Sequence, residues 1–262
     1  MEALLANPSF ISGFLAAVVA GLFTGIGGFA VFLKNKYSKG DINTMLNVAA
    51  GVMLAASFFA LLVPSMQEIV NNGAEIHTSS FWYCAAVFLG VSLVWILNDL
   101  LPHEHNNMGH HGPFFSLRKA WLFIIAISLH KLPEGLAVGV AYSAENMINP
   151  LSLVLGIALH NIPEGLTMAI SLVGAGESRL KAALTSCLLG LIQPFGALLG
   201  LLFIGFGTSF IPYAMAVAGG TLLFVVVNEI LPETYGYKQT EKSAFAVFSG
   251  FIVMTYLFMV LE

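Results

Sequence analysis

Eight runs of predominantly apolar residues follow one another along this 262-residue chain, at 9–32, 42–69, 81–101, 119–142, 149–173, 181–206, 211–231 and 243–261. A helix of about 20 apolar residues is long enough to cross the hydrocarbon core of a bilayer. One such run is as easily a buried helix of a soluble core. Eight in succession, joined by short connections, leave too little polar surface for a soluble fold. The chain is 58% hydrophobic and 9% charged, with a mean hydropathy of +0.87. The expected fold is an all-α integral membrane protein of eight transmembrane helices, a single domain over 1–262. The net charge of −4 says little where most of the surface meets lipid, and nothing suggests a nucleic-acid partner. Residues 1–8 have no basic n-region, so no cleavable signal peptide is expected.

Basic residues orient the bundle. Lys34, Lys36 and Lys39 follow the first run, Arg118 and Lys119 the third, Arg179 and Lys181 the fifth, and Lys238 and Lys242 the seventh. The other connections contain no lysine or arginine. The positive-inside rule makes the basic side cytoplasmic. Both termini are then extracytoplasmic, in a plasma or bacterial inner membrane. Lys131 alone among the basic residues falls in the middle of a run, beside His130.

Two copies of one motif sit mid-membrane in adjacent runs, His130-Lys131-Leu132-Pro133-Glu134-Gly135 and His160-Asn161-Ile162-Pro163-Glu164-Gly165. Each sets a histidine and a glutamate four residues apart on one helix face, roughly 5–6 Å apart at Cβ. Ionisable groups at that depth are costly and mark function by default. Two imidazoles and two carboxylates form a sufficient ligand set for a divalent transition metal, zinc first among them. Antiparallel helices would bring the copies to one depth, which suggests halves related by a pseudo-two-fold axis in the membrane plane, as in transporters with midplane sites. Pro133 and Pro163 disturb the hydrogen bonds to the carbonyls of Leu129 and Leu159, which a membrane tolerates only beside protein, water or an ion.

Weaker signals surround this pair. A His-rich cytoplasmic loop at 102–117 holds His103, His105, His110 and His111, either a flexible polar loop or a weak metal-binding tract. A second echo joins NDLLPHE at 98–104 to NEILPET at 228–234, with Asp99 and Glu229 at expected cytoplasmic helix ends. Glycines four apart, at Gly21/Gly25, Gly135/Gly139 and Gly196/Gly200, fit close helix packing. Cys84 and Cys187 fall within runs and are expected to pack, not to pair.

The tandem motifs in an eight-helix chain resemble the ZIP (Zrt/Irt-like) family of divalent metal transporters. Further support comes from the glycine-rich stretch 21–28, Gln193-Pro194-Phe195-Gly196-Ala197, and Ala218-Gly219-Gly220 with Asn228-Glu229. The resemblance implies metal binding by His130, Glu134, His160 and Glu164. Asn161 matches a position that serves a neighbouring second metal. Lys131 stands where the family often has a neutral amide, and Gln193 where it often has a carboxylate. Inward transport, a homodimer, and a moving part of helices 1, 4, 5 and 6 on a scaffold of 2, 3, 7 and 8 are further implications. Zn²⁺ is the expected substrate, with Cd²⁺, Fe²⁺ or Mn²⁺ served by the same donors; no resident cofactor is expected.

Two other functions use the same residues: an intramembrane zinc-dependent hydrolase, and a metal sensor without flux. Neither an HExxH motif nor an obvious unligated general base accompanies the site, as a hydrolase would need. If the histidine loop only tunes metal supply, replacing His103, His105, His110 and His111 with Ser leaves substantial zinc uptake in proteoliposomes. Complete loss of flux in the folded variant would give the loop an obligatory role.

Overall fold

The computed structural model describes residues 7–34, 37–71, 75–100, 103–105, 109–111, 119–144, 148–203, 209–232 and 241–261. Long helices dominate it. They are α1 (Pro8–Phe29), α2 (Lys39–Ala56, continued through Ser57–Leu62 and Val63–Asn71), α3 (Ile76–Leu100) and α4 (Lys119–Ser143). Then come α5 (Pro150–Gly174), α6 (Arg179–Gly190 and Gln193–Leu201), α7 (Ile211–Val225, continued through Val226–Ile230) and α8 (Glu241–Leu261). Among the described residues, seven of these are both long and apolar enough to cross a membrane. The other is α4, whose 25 residues span about 38 Å at helical rise.

Local sequence sets the helix starts. Asn7, Ser38, Asn149 and Ser178 each cap a helix by accepting a backbone N–H, from Ser9, Asp41, Leu151 and Lys181. Pro8 and Pro150 occupy the first turns of α1 and α5, where a missing N–H costs nothing. Glu75 accepts from Thr78 and His77 at the start of α3. Those hydrogen bonds, the Thr78 side chain first, hold its carboxyl below the usual carboxylate range.

Prolines explain the irregular turns. The π-helical stretches Ser57–Leu62 and Val226–Ile230 each end two residues before a proline, Pro64 and Pro232. Widening the turn there relieves the clash with the carbonyl four residues back. Helix α6 breaks at Leu191–Ile192, just ahead of Gln193-Pro194, and the N–H groups there bond three residues back, to Leu188 and Leu189. The sequence reading expected one unbroken helix over 181–206. It also expected no strands, yet His103–His105 pairs antiparallel with Gly109–His111. Beyond that short hairpin the all-α expectation holds.

The helices form two groups. The closest pairs lie within two sets, α4 with α6, α1 with α5 and α1 with α6 in one, α2 with α8 and α3 with α7 in the other, while α2 with α5 and α4 with α7 join the sets. Glycine places backbone against backbone inside each group. A Cβ on Gly165 of α5 would lie 1.9 Å from the Thr24 carbonyl oxygen of α1, and one on Gly135 of α4 would lie 1.9 Å from the Gln193 carbonyl oxygen of α6. Gly21 of α1 and Gly190 of α6 face each other the same way. In the second group Gly51 and Gly250 join α2 to α8, while Gly90 and Gly220 join α3 to α7. Across the boundary, Gly156 of α5 meets the side chain of Met254, with no close backbone contact. Small residues thus weld each group, as membrane helices without a hydrophobic driving force require.

Side chains facing outward are apolar. Phe81, Trp82, Phe88 and Trp95 of α3 and Phe245, Phe248, Tyr256 and Met259 of α8 are all well exposed, the pattern of lipid contact. Forcing a methyl between the welded helices should destabilise the bundle. Gly135→Ala and Gly165→Ala are each expected to cost about 1–3 kcal/mol as overpacking, read as a lower melting temperature in detergent. Gly174→Ala is the control, because a Cβ there meets nothing within 4 Å, and it should be near neutral.

Candidate metal site

Both motifs lie within unbroken helices that run through Pro133 and Pro163. The mid-helix residues His130, Lys131, Glu134, His160, Asn161 and Glu164 are all buried. Helices α4 and α5 thus present their ionisable residues to the interior of the first group, away from lipid. Gln193, at the start of the second half of α6, is buried beside them.

Three of the expected ligands converge. Ligand atoms of Glu134, His160 and Glu164 lie within 4.8 Å of one another. His160 Nε2 is 3.5 Å from Glu164 Oε2 and 3.6 Å from Glu134 Oε1. Those separations are long for hydrogen bonds. They suit a shared ion: two ligands about 2.1 Å from zinc at a tetrahedral angle are about 3.4 Å apart. Glu134 Oε1 has no hydrogen-bond partner although buried, so one lone acceptor faces the imidazole. His130 is buried one turn before Glu134 but is not part of the three-residue cluster.

Lys131 occupies the centre of the polar network. Its Nζ donates to Glu134 Oε2 at 2.9 Å, to Asn161 Oδ1 at 2.5 Å and to Glu164 Oε2. Asn161 in turn donates through Nδ2 to the Ala20 carbonyl of α1 at 2.7 Å and to Gln193 Oε1 at 3.0 Å. One amide therefore ties all four helices of the first group together. Gln193 enters through this bond, and its Nε2 has no partner among the described residues. The sequence placed Lys131 within reach of Glu134 by their three-residue spacing. Its contacts with Glu164 and Asn161, 33 and 30 residues away, depend on how α4 meets α5.

Other expected residues stand apart from this cluster. On α2, Asn47 is fully buried with neither amide atom hydrogen-bonded, and Ser57 donates to the Met53 carbonyl at 2.8 Å. Thr24, missed by the sequence reading, is also buried with an unpartnered hydroxyl, one turn beyond the Ala20 carbonyl that Asn161 holds. No local pattern flags an isolated threonine in an apolar helix. Asp99 is exposed. In the histidine hairpin the backbone pairs His103 with His111 and Glu104 with His110; the side chains there, and that of Glu229, lie outside the described residues. So do Lys36, Arg118 and Lys238. Cys84 and Cys187 are free thiols; Cys187 packs against Gly25 of α1, whereas Cys84, expected to pack as well, is exposed on α3.

Comparison with known proteins agrees with the arrangement. A family model described as ZIP zinc transporter matches residues 101–257. The chain is 33% identical over 243 residues to the zinc transporter GufA of Myxococcus xanthus, covering 92% of this chain and 96% of that protein. It is 34% identical over 220 residues to the zinc transporter ZIPB of Bordetella bronchiseptica, covering 82% and 70%. Against the zinc transporter ZupT of Streptococcus mutans the figures are 31% over 252 residues, 93% and 95%. These matches, together with the tandem motifs in a multi-pass helical bundle, place this chain in the ZIP zinc transporter family.

Proposed function

We propose that this protein carries divalent metal, zinc first, across the membrane into the cytoplasm, through a site on α4 and α5. The supporting observation is the spacing of Glu134, His160 and Glu164: three buried donors whose measured separations of 3.5 and 3.6 Å match neighbouring ligands on one tetrahedral ion. His130, buried nearby, is the fourth ligand. Asn161 and Gln193 shape the far side of the site and do not complete a second metal position. Cd²⁺, Fe²⁺ and Mn²⁺ are competing substrates, since imidazole and carboxylate serve them all. The relatives named above are transporters by name, and no feature of the site favours the intramembrane hydrolase.

The two helix groups suggest how the ion crosses. Backbone-tight glycine contacts lie within groups, and Gly156, at the boundary, meets side chains. The first group, holding the whole site, moves as a body against the second, which is the scaffold. Asn47, Met53 and Ser57 of α2 line the path beside it. The basic loops face the cytoplasm, both termini face outward, and the protein works as a homodimer in the plasma or inner membrane. The histidine loop handles metal on the cytoplasmic side.

Two experiments test the site. His160→Ala and Glu164→Ala should each weaken zinc binding by at least about 100-fold, the upper end of what losing even an outer-shell partner costs, and abolish uptake by proteoliposomes. Near-normal uptake by the Glu134→Ala/Glu164→Ala double variant would remove the site from α4 and α5. Stoichiometry is the second measure. Glu134 and Glu164 balance one dication, and Lys131 opposes another. Mass spectrometry of the intact protein should find one tightly bound zinc per protomer, and Lys131→Asn with Gln193→Glu should admit a second.

A further inference from the structure

Lys131 is fully buried, and an ammonium has three N–H groups. All three are engaged, by Glu134, Glu164 and Asn161. Holding one glutamate in place would require one of these bonds. Instead the ammonium bridges both carboxylates that the transport reading gives to the metal. It lies on the face of Glu134 opposite the oxygen aimed at His160, since Oε2 takes the lysine and Oε1 faces the imidazole.

We infer that Lys131 is a tethered counter-cation that gives the loaded and the empty carrier net charges of equal size and opposite sign, and so lets the empty site recross the membrane. The inference rests on the transport function proposed above. With the histidines neutral, two carboxylates and no lysine would leave the empty site with two uncompensated negative charges, and the zinc-loaded site with none. Lys131 converts these states into one negative and one positive charge. The cost of holding charge in low dielectric grows as its square, so the worst state of the cycle falls to about one quarter of its Born penalty. The four-carbon stem allows the ammonium to step off the carboxylates as zinc arrives without leaving the protein. It therefore also competes with the metal for Glu134 and Glu164.

The test compares two fluxes of radioactive zinc in proteoliposomes of the full-length protein. Exchange, with zinc on both sides, needs only the loaded carrier to cross. Net uptake into zinc-free vesicles also needs the empty carrier to return. Lys131→Met keeps most of the stem and removes the charge; it should bind zinc more tightly, by about ten-fold or more once the competitor is gone. Its ratio of net uptake to exchange should fall by at least about ten-fold. Lys131→Arg retains the charge and should keep that ratio near the parent value. Lys131→Asn serves as a second neutral variant should Met disturb folding. An unchanged ratio in both neutral variants would overturn the inference. So would weaker zinc binding in both, or the joint loss of both fluxes, which would leave Lys131 a purely structural part. Failure of the transport reading has a different signature: zinc binding and flux that survive His160→Ala and Glu164→Ala.

Discussion

A single buried cation, Lys131, satisfies two buried carboxylates in the middle of an apolar bundle. Glu134 and Glu164 come from different helices and lie close enough to share the ammonium. Two such anions in low dielectric repel each other. Buried charges persist only when paired and hydrogen-bonded. The first helix group is arranged around that requirement. Asn161 accepts from Lys131, holds α1 through the Ala20 carbonyl and reaches Gln193 of α6.

Glycine makes this convergence possible. The short polar side chains of Asn161 and Gln193 bridge α5 and α6 only if the backbones around them are close. Gly135 against Gln193, Gly165 against Thr24 and Gly21 against Gly190 bring them there. Pro194 contributes differently. It cannot supply an N–H to the helix preceding it, and α6 breaks at Leu191–Ile192, setting Gln193 at the head of a new helical segment. Packing and polar chemistry are therefore one design: the welded interfaces carry the amides, and the amides position the acids.

Glu164 turns one oxygen, Oε2, to both His160 and Lys131. Glu134 divides its two oxygens between them. This division separates the chain from a plain double-metal arrangement, in which both sides of the carboxylates would serve metal. It also ties the proposed metal site to the lysine, because both draw on the same two negative charges.

Sequence alone determined the class of the protein and the identity of the ionisable residues within its apolar helices. Apolar runs of this length have few other outcomes, and the histidine–glutamate spacing depends only on helix periodicity, which is local. The caps at Asn7, Ser38, Asn149 and Ser178 belong to the same category, since each acts within three residues of itself. Tertiary structure decided the rest. Which histidine stands between the glutamates depends on how α5 is rotated against α4, and that favoured His160 over His130. The pairing of Lys131 with Glu164 and Asn161 spans some 30 residues of sequence and rests on helices approaching closely at glycines whose partners no local pattern names. The break in α6 and the histidine hairpin also escaped the sequence reading, because an apolar run looks continuous across a proline and a short polar loop carries no strand signal. Periodicity fixes what one helix presents; only packing fixes what it meets.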